Sequence, residues 1–376
     1  MAISATRPFE GLTVVAVEQA VAAPYCTARL ADGGARVIKI ERAEGDFARG
    51  YDDVAKGQSS YFVWLNRGKE SVKLDIASVE GKAMLSTLLD GADVLVQNLK
   101  PGALDKLGFG PEVRAAKWPR LITASISGYG ETGPLASRKA YDLLVQAEAG
   151  LCSITGGPSE PARVGISIVD IATGATAYQA ILEALIARGV TGKGADIRVS
   201  MFDVMADWLT VPLLNHEGGK SPRRIGLAHP SIAPYGVFTC KDGQQVLVAV
   251  QSDREWQSLA TKFLGRPELA TDPRFATNVA RVNNRAETDA AVAEGFARRT
   301  KAEAMEEMAA AQLAFAGVND MAALSVHPHL RRITVETESG PVSFPAPPAI
   351  FTGEERHFGP VPALDEHAPL GRAAAE

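Results

Sequence analysis

The feature that most constrains this chain is an alternation that runs through its first half. Short β-rich runs at 12–17, 36–40, 71–74, 93–97 and 121–127 are separated by runs with helical spacing near 24–32, 79–91, 103–107 and 111–116. A strand followed by a helix and then another strand returns parallel to the first, with the helix lying on one face of the sheet. The expected fold class is therefore α/β, a Rossmann-like parallel sheet with helices on both faces. The run 195–200 adds a further strand, and 201–214 reads as one helix after it, kinked at Pro212.

A chain of 376 residues is too long for one ordinary core, so two domains are expected. Composition shifts at 216–224, a stretch rich in glycine, proline and basic residues that reads as a linker. The next runs, 235–240 and 244–250, flank Asp242-Gly243 and form a hairpin signature. Helical patterns follow at 254–264 and within 284–313. These make a smaller α+β domain. The expected boundaries are 1–215 for the large domain, 216–230 for the linker and 231–325 for the small domain. The remainder, 326–376, has a short hairpin at 335–342 and many prolines. It is too poor in apolar pattern for its own core, so it is expected to return to the large domain.

Composition excludes several classes. Hydrophobic residues make up 46% and charged residues 22%, with a net charge of −5. No basic cluster suggests nucleic acid or an anionic membrane as partner. No apolar run approaches the length of a membrane span. The N-terminus lacks a signal-peptide apolar core. Cys26, Cys152 and Cys240 are odd in number and far apart, which supports neither a disulfide framework nor a metal site and fits a reducing cytoplasm. The six histidines form no helical metal-ligand pair, and His327 and His329 are separated by a proline.

Two junctions carry the chemistry. At the first, the sequence after the opening strand is Glu18-Gln19-Ala20-Val21-Ala22-Ala23-Pro24. A dinucleotide-binding fold needs glycines there so that backbone can approach a pyrophosphate. This turn has none, which argues against a nicotinamide or flavin cofactor. At the second, an apolar run at 164–169 reads as a buried strand or extended segment, and a helical pattern covers 177–187. Asp170 stands between them, facing the expected start of a helix, where free N–H groups and the dipole favour a carboxylate. Such a group can cap the helix or attack an electrophile held in front of it. Asp142 is a second carboxylate in the region. It precedes an apolar helical run, which favours a capping role.

The order of several motifs makes the chain recognisable. Gly34-Ala-Arg-Val-Ile-Lys-Ile-Glu-Arg42, Leu65-Asn-Arg-Gly-Lys-Glu, Asp93-Val-Leu-Val-Gln-Asn98, Tyr141-Asp142, Arg163-Val-Gly and Asp170-Ile-Ala-Thr-Gly174 follow in sequence. Together they resemble the class III coenzyme A transferases, the family of formyl-CoA transferase and carnitine CoA-transferase, over nearly the whole chain. The resemblance implies that Asp170 is the catalytic nucleophile. It implies that Gln19, Ala20, Val21 and Ala22 line the thioester pocket. It places Arg42 at the adenosine and phosphate end of CoA, with Leu74, Asn98, Leu99 and Lys106 at further CoA contacts and Lys139 and Tyr141 along the phosphate and pantetheine. It implies no metal and no permanently bound cofactor, with CoA or acyl-CoA as substrate, and an interlocked homodimer.

The implied reaction moves CoA from a thioester to a free carboxylic acid through an aspartyl anhydride and an aspartyl-CoA thioester. Oxyanion donors are expected among the backbone N–H groups of 19–22 or in a glycine loop. The run of glycines that closes over the intermediate in the best-known relative has no counterpart here. The segments 216–220 and 226–235 are the candidates for its place. Short dicarboxylic acids such as succinate, malate or mesaconate are the expected acceptors, and Arg49, Tyr51, Tyr61 and His229 could read a second carboxylate. A 2-methylacyl-CoA racemase shares the fold, but its base is a histidine at the position of Tyr141, and tyrosine is a poor base near neutral pH. A non-catalytic acyl-CoA-binding protein is the alternative from another class.

Overall fold

The computed structural model describes residues 7–353 and 356–368. The N-terminal residues 1–6 and the last part of the expected C-terminal return, 369–376, lie outside the described residues. Six strands form one parallel sheet: β1 (Thr13–Val17), β2 (Arg36–Glu41), β3 (Lys69–Lys73), β4 (Val94–Gln97), β5 (Ile122–Ser127) and β6 (Ala195–Ser200). Their order is β3-β2-β1-β4-β5-β6, that of a doubly wound dinucleotide-binding sheet. Around it run α1 (Ala22–Asp32), α2 (Ser60–Asn66), α3 (Val79–Asp90), α4 (Ala103–Lys106), α5 (Pro111–Lys117), α6 (Asp142–Glu148), α7 (Leu151–Ile154), α8 (Ile168–Thr191), α9 (Met201–Trp208) and α10 (Thr210–Glu217).

The central strands read as unbroken apolar runs because both faces are covered. Val14 pairs with Val37 on one side and Val94 on the other; Val15 pairs with Ile38 and Leu95. The period of two then sorts them. Val14, Ala16, Val37 and Val94 pack with Leu30 of α1 and with Ala177 and Ile181 of α8. Val15, Val17, Ile38 and Leu95 pack with Leu85 and Leu89 of α3.

Two expectations need correction. Of the buried strand or extended segment expected at 164–169, the strand does not form. The N–H of Val164 donates to the side chain of Gln146 (2.9 Å) instead of a sheet neighbour, and α8 begins at Ile168. This helix is 24 residues long and ends at Gly192 with φ 72°, a conformation that glycine adopts without strain. Asp170 is therefore inside the first turn of α8 and not at a strand-to-helix junction. The helix expected at 201–214 is two helices that break at Leu209. Pro212 falls in the first turn of α10, where its missing N–H costs little.

The chain divides into two compact units. Among the described residues, one comprises those up to Cys152, Arg163–Leu214 and those from Arg331 onward; the other comprises Ser153–Ala162 and Asn215–Leu330. In the second unit, β7 (Tyr235–Thr239) and β8 (Gln245–Ala249) form the hairpin, and β9 (Ala314–Gly317) adds an antiparallel third strand to β8. Its core holds Trp256, Phe263, Phe296 and Phe238. In the first unit, β10 (Arg332–Val335) and β11 (Val342–Pro345) form a hairpin, and Val335 packs with Phe62 and Val361.

Candidate active site

The strand order reverses between β1 and β4, and such a switch point leaves a crevice beyond the carboxyl ends of the strands. The side chain of Asn98, just past β4, ties the two exits together. It accepts the N–H of Gln19 (3.0 Å) and donates to the carbonyl of Gln19 (2.8 Å). The next residue, Ala20, has φ 65°. This left-handed conformation costs a non-glycine residue about 1–2 kcal/mol. Asp46 holds it there by accepting the Ala20 N–H (3.0 Å). The N–H groups of Gln19 and Ala20 are thus occupied. Those of Val21 and Ala22, at the start of α1, have no partner among the described residues.

Beneath this turn lies a buried charge cluster. Lys39 donates to Asp46 (2.8 Å) and lies 3.4 Å from Glu18; Lys69 donates to Glu18 (2.7 Å). All four side chains are shielded from solvent. Burial opposes the charge on Glu18, but Lys69 and Lys39 outweigh it and hold its pKa below the ordinary value. Glu41 behaves likewise. Its burial is overcome by a hydrogen bond from Arg49 and by the charge of Lys39, which bring it down to about 2. The turn stands on this cluster because breaking a buried pair leaves an uncompensated charge.

Asp170 is the third residue of α8. The residue before the helix, Ser167, does not cap it; its hydroxyl meets that of Tyr61 (3.1 Å). Asp142 supplies the cap from another element, since one of its carboxylate oxygens accepts the N–H of Val169 (2.7 Å) and that of Asp170 (3.2 Å). Asp142 is indeed a capping residue, but of α8 rather than of α6, its own helix. Its other oxygen accepts from Gln146 (2.6 Å). Burial, and then the charge of Asp142, push the Asp170 carboxyl up to about 7. Gly174, one turn on, lets α8 approach α1: a Cβ there would lie 2.4 Å from the carbonyl of Ala22.

Asp170 opens into a cavity of about 460 Å³. It is lined by Gln19, Ala20, Val21 and Ala22, by Asn98 and Leu99, and by Lys139, Tyr141 and Asp142. An adjoining recess of about 420 Å³ is lined by Arg42 and Leu74, and Gln19 and Leu99 border both spaces. Lys106, exposed at the end of α4, lines neither. Tyr51 and Tyr61 line the larger cavity. Arg49 does not. Its guanidinium is committed to Glu41 (2.7 and 2.9 Å) and lies over the Phe62 ring. His229 and the segments 216–220 and 226–235 belong to the second unit. Among the cavity's groups with no role in the sequence reading are Arg163 and Ser167. Arg163 has no ion-pair or hydrogen-bond partner among the described residues. Among those residues, no cluster of His, Cys, Asp and Glu is arranged to hold a metal ion, and no helix is long and apolar enough to cross a membrane.

A family model described as CoA-transferase family III matches residues 9–368. The chain belongs to that family. This CoA-transferase is 39% identical over 365 residues to the acetyl-CoA:oxalate CoA-transferase of Acetobacter aceti, covering 96% of this chain and 93% of the relative. It is 33% identical over 376 residues to the succinate–glutarate CoA-transferase of Agrobacterium fabrum, covering 96% and 94%. A crystal structure of a CAIB/BAIF family protein from Brucella suis superposes with a TM-score of 0.82 at 37% identity, covering 96% of this chain and 97% of that one.

Proposed function

We propose that this CoA-transferase moves CoA between short dicarboxylic acids through covalent intermediates on Asp170. The observation that carries the reading is the partly buried Asp170 carboxyl at the switch-point cavity, beside two unpartnered N–H groups. A carboxylate is a weak nucleophile that becomes sufficient when desolvated and held close. One Asp170 oxygen attacks the donor thioester carbonyl, and the C–S bond breaks to give a mixed anhydride and CoA thiolate. The thiolate attacks the aspartyl carbonyl, releasing the donor carboxylate and leaving an aspartyl-CoA thioester. The acceptor carboxylate attacks that carbonyl in turn, forming a second anhydride and freeing thiolate. Attack of the thiolate on the acceptor carbonyl yields the new acyl-CoA and restores Asp170. Each tetrahedral oxyanion needs donors aimed at it. The N–H groups of Val21 and Ala22 fill that role, since those of Gln19 and Ala20 are already taken.

Arg42, Leu74 and Lys139 bind the CoA moiety in this reading, with the adenosine end in the smaller recess. Arg163 reads the distal carboxylate of the acid, because a free guanidinium matches a carboxylate bidentately. Named relatives that act on oxalate and on succinate with glutarate support a dicarboxylic substrate. A homodimer is part of the proposal. Its support is the set of large apolar side chains left exposed at Val190, Trp208, Val211, Leu213 and Leu214. The three unpaired cysteines support a cytoplasmic setting.

The test is mass spectrometry of the protein incubated with succinyl-CoA and quenched with hydroxylamine or borohydride. Modification confined to Asp170, and its loss in Asp170→Asn, is the expected result. An unmodified Asp170 accompanied by exchange of the substrate α-proton with deuterated water would replace transfer by racemase chemistry.

A further inference from the structure

A carboxylate at the third position of a helix ordinarily draws on the free N–H groups of the first turn and on the helix dipole, both of which stabilise its charge. Asp170 is denied that stabilisation. The N–H groups of Val169 and of Asp170 itself are both taken by one oxygen of Asp142, 28 residues away in sequence. The local candidate for the cap, Ser167, is turned instead to Tyr61. Asp142 is in turn held by Gln146, a fully buried side chain that donates to its second oxygen at 2.6 Å. The amide oxygen of the same Gln146 accepts the N–H of Val164 (2.9 Å) and so fixes the segment leading into α8. Gln146 thus orients Asp142 and anchors the chain that Asp142 caps. No part of the transfer reaction requires a second carboxylate here, and a neutral serine at position 167 could have capped the helix without adding charge.

We propose that Asp142 is a positioning residue for the nucleophile: by occupying the N–H groups at the start of α8 with a negative oxygen, it keeps the Asp170 carboxylate uncapped and more basic. The inference rests on the reading of Asp170 as nucleophile. The basicity of an attacking oxygen matters because nucleophilicity rises with it, while the raised pKa near 7 still leaves much of the group ionised at neutral pH. The other charged or titratable groups at the cavity leave this logic intact. Tyr51 and Tyr61 approach from one side, and Arg138, Lys139 and Tyr141 from the segment ahead of α6. Arg138 is paired with Glu148 (3.1 Å). Lys100 follows Asn98, and Arg163 lies on the approach to α8. The start of α1 brings only Val21 and Ala22. Burial opposes ionisation of Asp170 first, and Asp142 adds to it from hydrogen-bonding range of the same turn.

The experiment is an infrared pH titration of the Asp170 carboxyl in the full-length protein, with Asp170→Asn as the blank. Asp142→Asn keeps an acceptor for both N–H groups and removes only the charge. Asp142→Ala also frees the N–H groups. The expected result is a titration that falls by about one pH unit in Asp142→Asn and further in Asp142→Ala, as loss of a neighbouring like charge and gain of hydrogen bonds to the ionised form require. The acid limb of the transfer rate follows it, and the plateau falls. Should the Asn variant not fold, the Ala variant decides alone. An Asp170 that titrates at the same pH in both variants overturns the inference, whatever their activity. A lowered titration together with undiminished transfer by Asp170→Asn would uphold the role of Asp142 and sink the covalent mechanism instead.

Discussion

Replacing Asp170 by asparagine should make the protein more stable, and by an amount that grows with pH. The carboxyl is raised from the ordinary 3.8 to about 7 in the folded chain, first by burial and then by Asp142. A folded-state acid that holds its proton more tightly than the unfolded chain destabilises as pH climbs from the unfolded pKa to the folded one; above the folded pKa the penalty is complete. Taken at face value the rise is worth about 4 kcal/mol. Water reaches part of the residue from the cavity, and its screening brings this to about 2 kcal/mol. The asparagine variant should then exceed the parent by about 1 kcal/mol at pH 5.5 and about 2 kcal/mol at pH 8. Asparagine is nearly isosteric, and neither side-chain oxygen of Asp170 accepts a hydrogen bond from the described residues, so no lost contact offsets the gain. Urea unfolding followed by circular dichroism, parent and variant side by side at the two pH values, measures the gap. A variant no more stable than the parent at pH 8, or a gap independent of pH, would refute the reasoning.

Three further substitutions probe the scaffold and the specificity. Asp46→Ala removes the acceptor of the Ala20 and Ala48 N–H groups and the nearer of the two carboxylates that pair with buried Lys39; it should cost about 3–5 kcal/mol in urea unfolding, and a loss below 1 kcal/mol would mean that the cluster does not support the turn. Gly174→Ala sets a Cβ 2.4 Å from a backbone oxygen of α1, so it should destabilise by about 1–3 kcal/mol and slow transfer while leaving the trapped residue unchanged in the mass spectrum. Arg163→Gln should raise KM for dicarboxylic acceptors by about tenfold, the loss of one charge-assisted contact, with little change for monocarboxylic ones; an equal effect on both would remove Arg163 from acceptor recognition.

The sheet was legible because strands covered on both faces leave continuous apolar runs, and the helices between them dictate parallel returns. The glycine-free junction was legible too, but only in part. A sequence in which alanine follows Gln19 gives no sign that the chain turns left-handed there, because that conformation is imposed by Asp46, 26 residues on. The stretch before Asp170 misled for a related reason. Its apolar pattern suits a strand, but Gln146 captures the Val164 N–H before any strand can form. A short helix such as α2 carries too few turns for a periodicity to register. The cap that Asp142 places on α8 joins two distant elements, and nothing in local spacing connects them. Arg49 shows the converse: a well-placed cation on paper is already bound to Glu41.

These long-range bonds share one consequence. In a nucleotide-binding turn of the same topology, glycines bring free backbone donors to the ligand without help from side chains. Here alanine stands at the left-handed position, and the chain must be held by charge: Asp46 on the Ala20 N–H, Lys39 on Asp46, and Glu18 between Lys39 and Lys69. The result is a turn in which two donors, at Gln19 and Ala20, are locked away and two, at Val21 and Ala22, stay open. At the start of α8 the pattern is inverted, since Asp142 closes the donors nearest the Asp170 carboxyl. If Asp170 is the nucleophile proposed above, donors are withheld from its ground-state carboxylate and kept for whatever develops negative charge next to Val21 and Ala22. Interactions that strengthen only as the transition state forms are the ones that accelerate a reaction. Burial first, and then the charge of Asp142 at that helix start, account for a carboxylate whose pKa is raised rather than lowered.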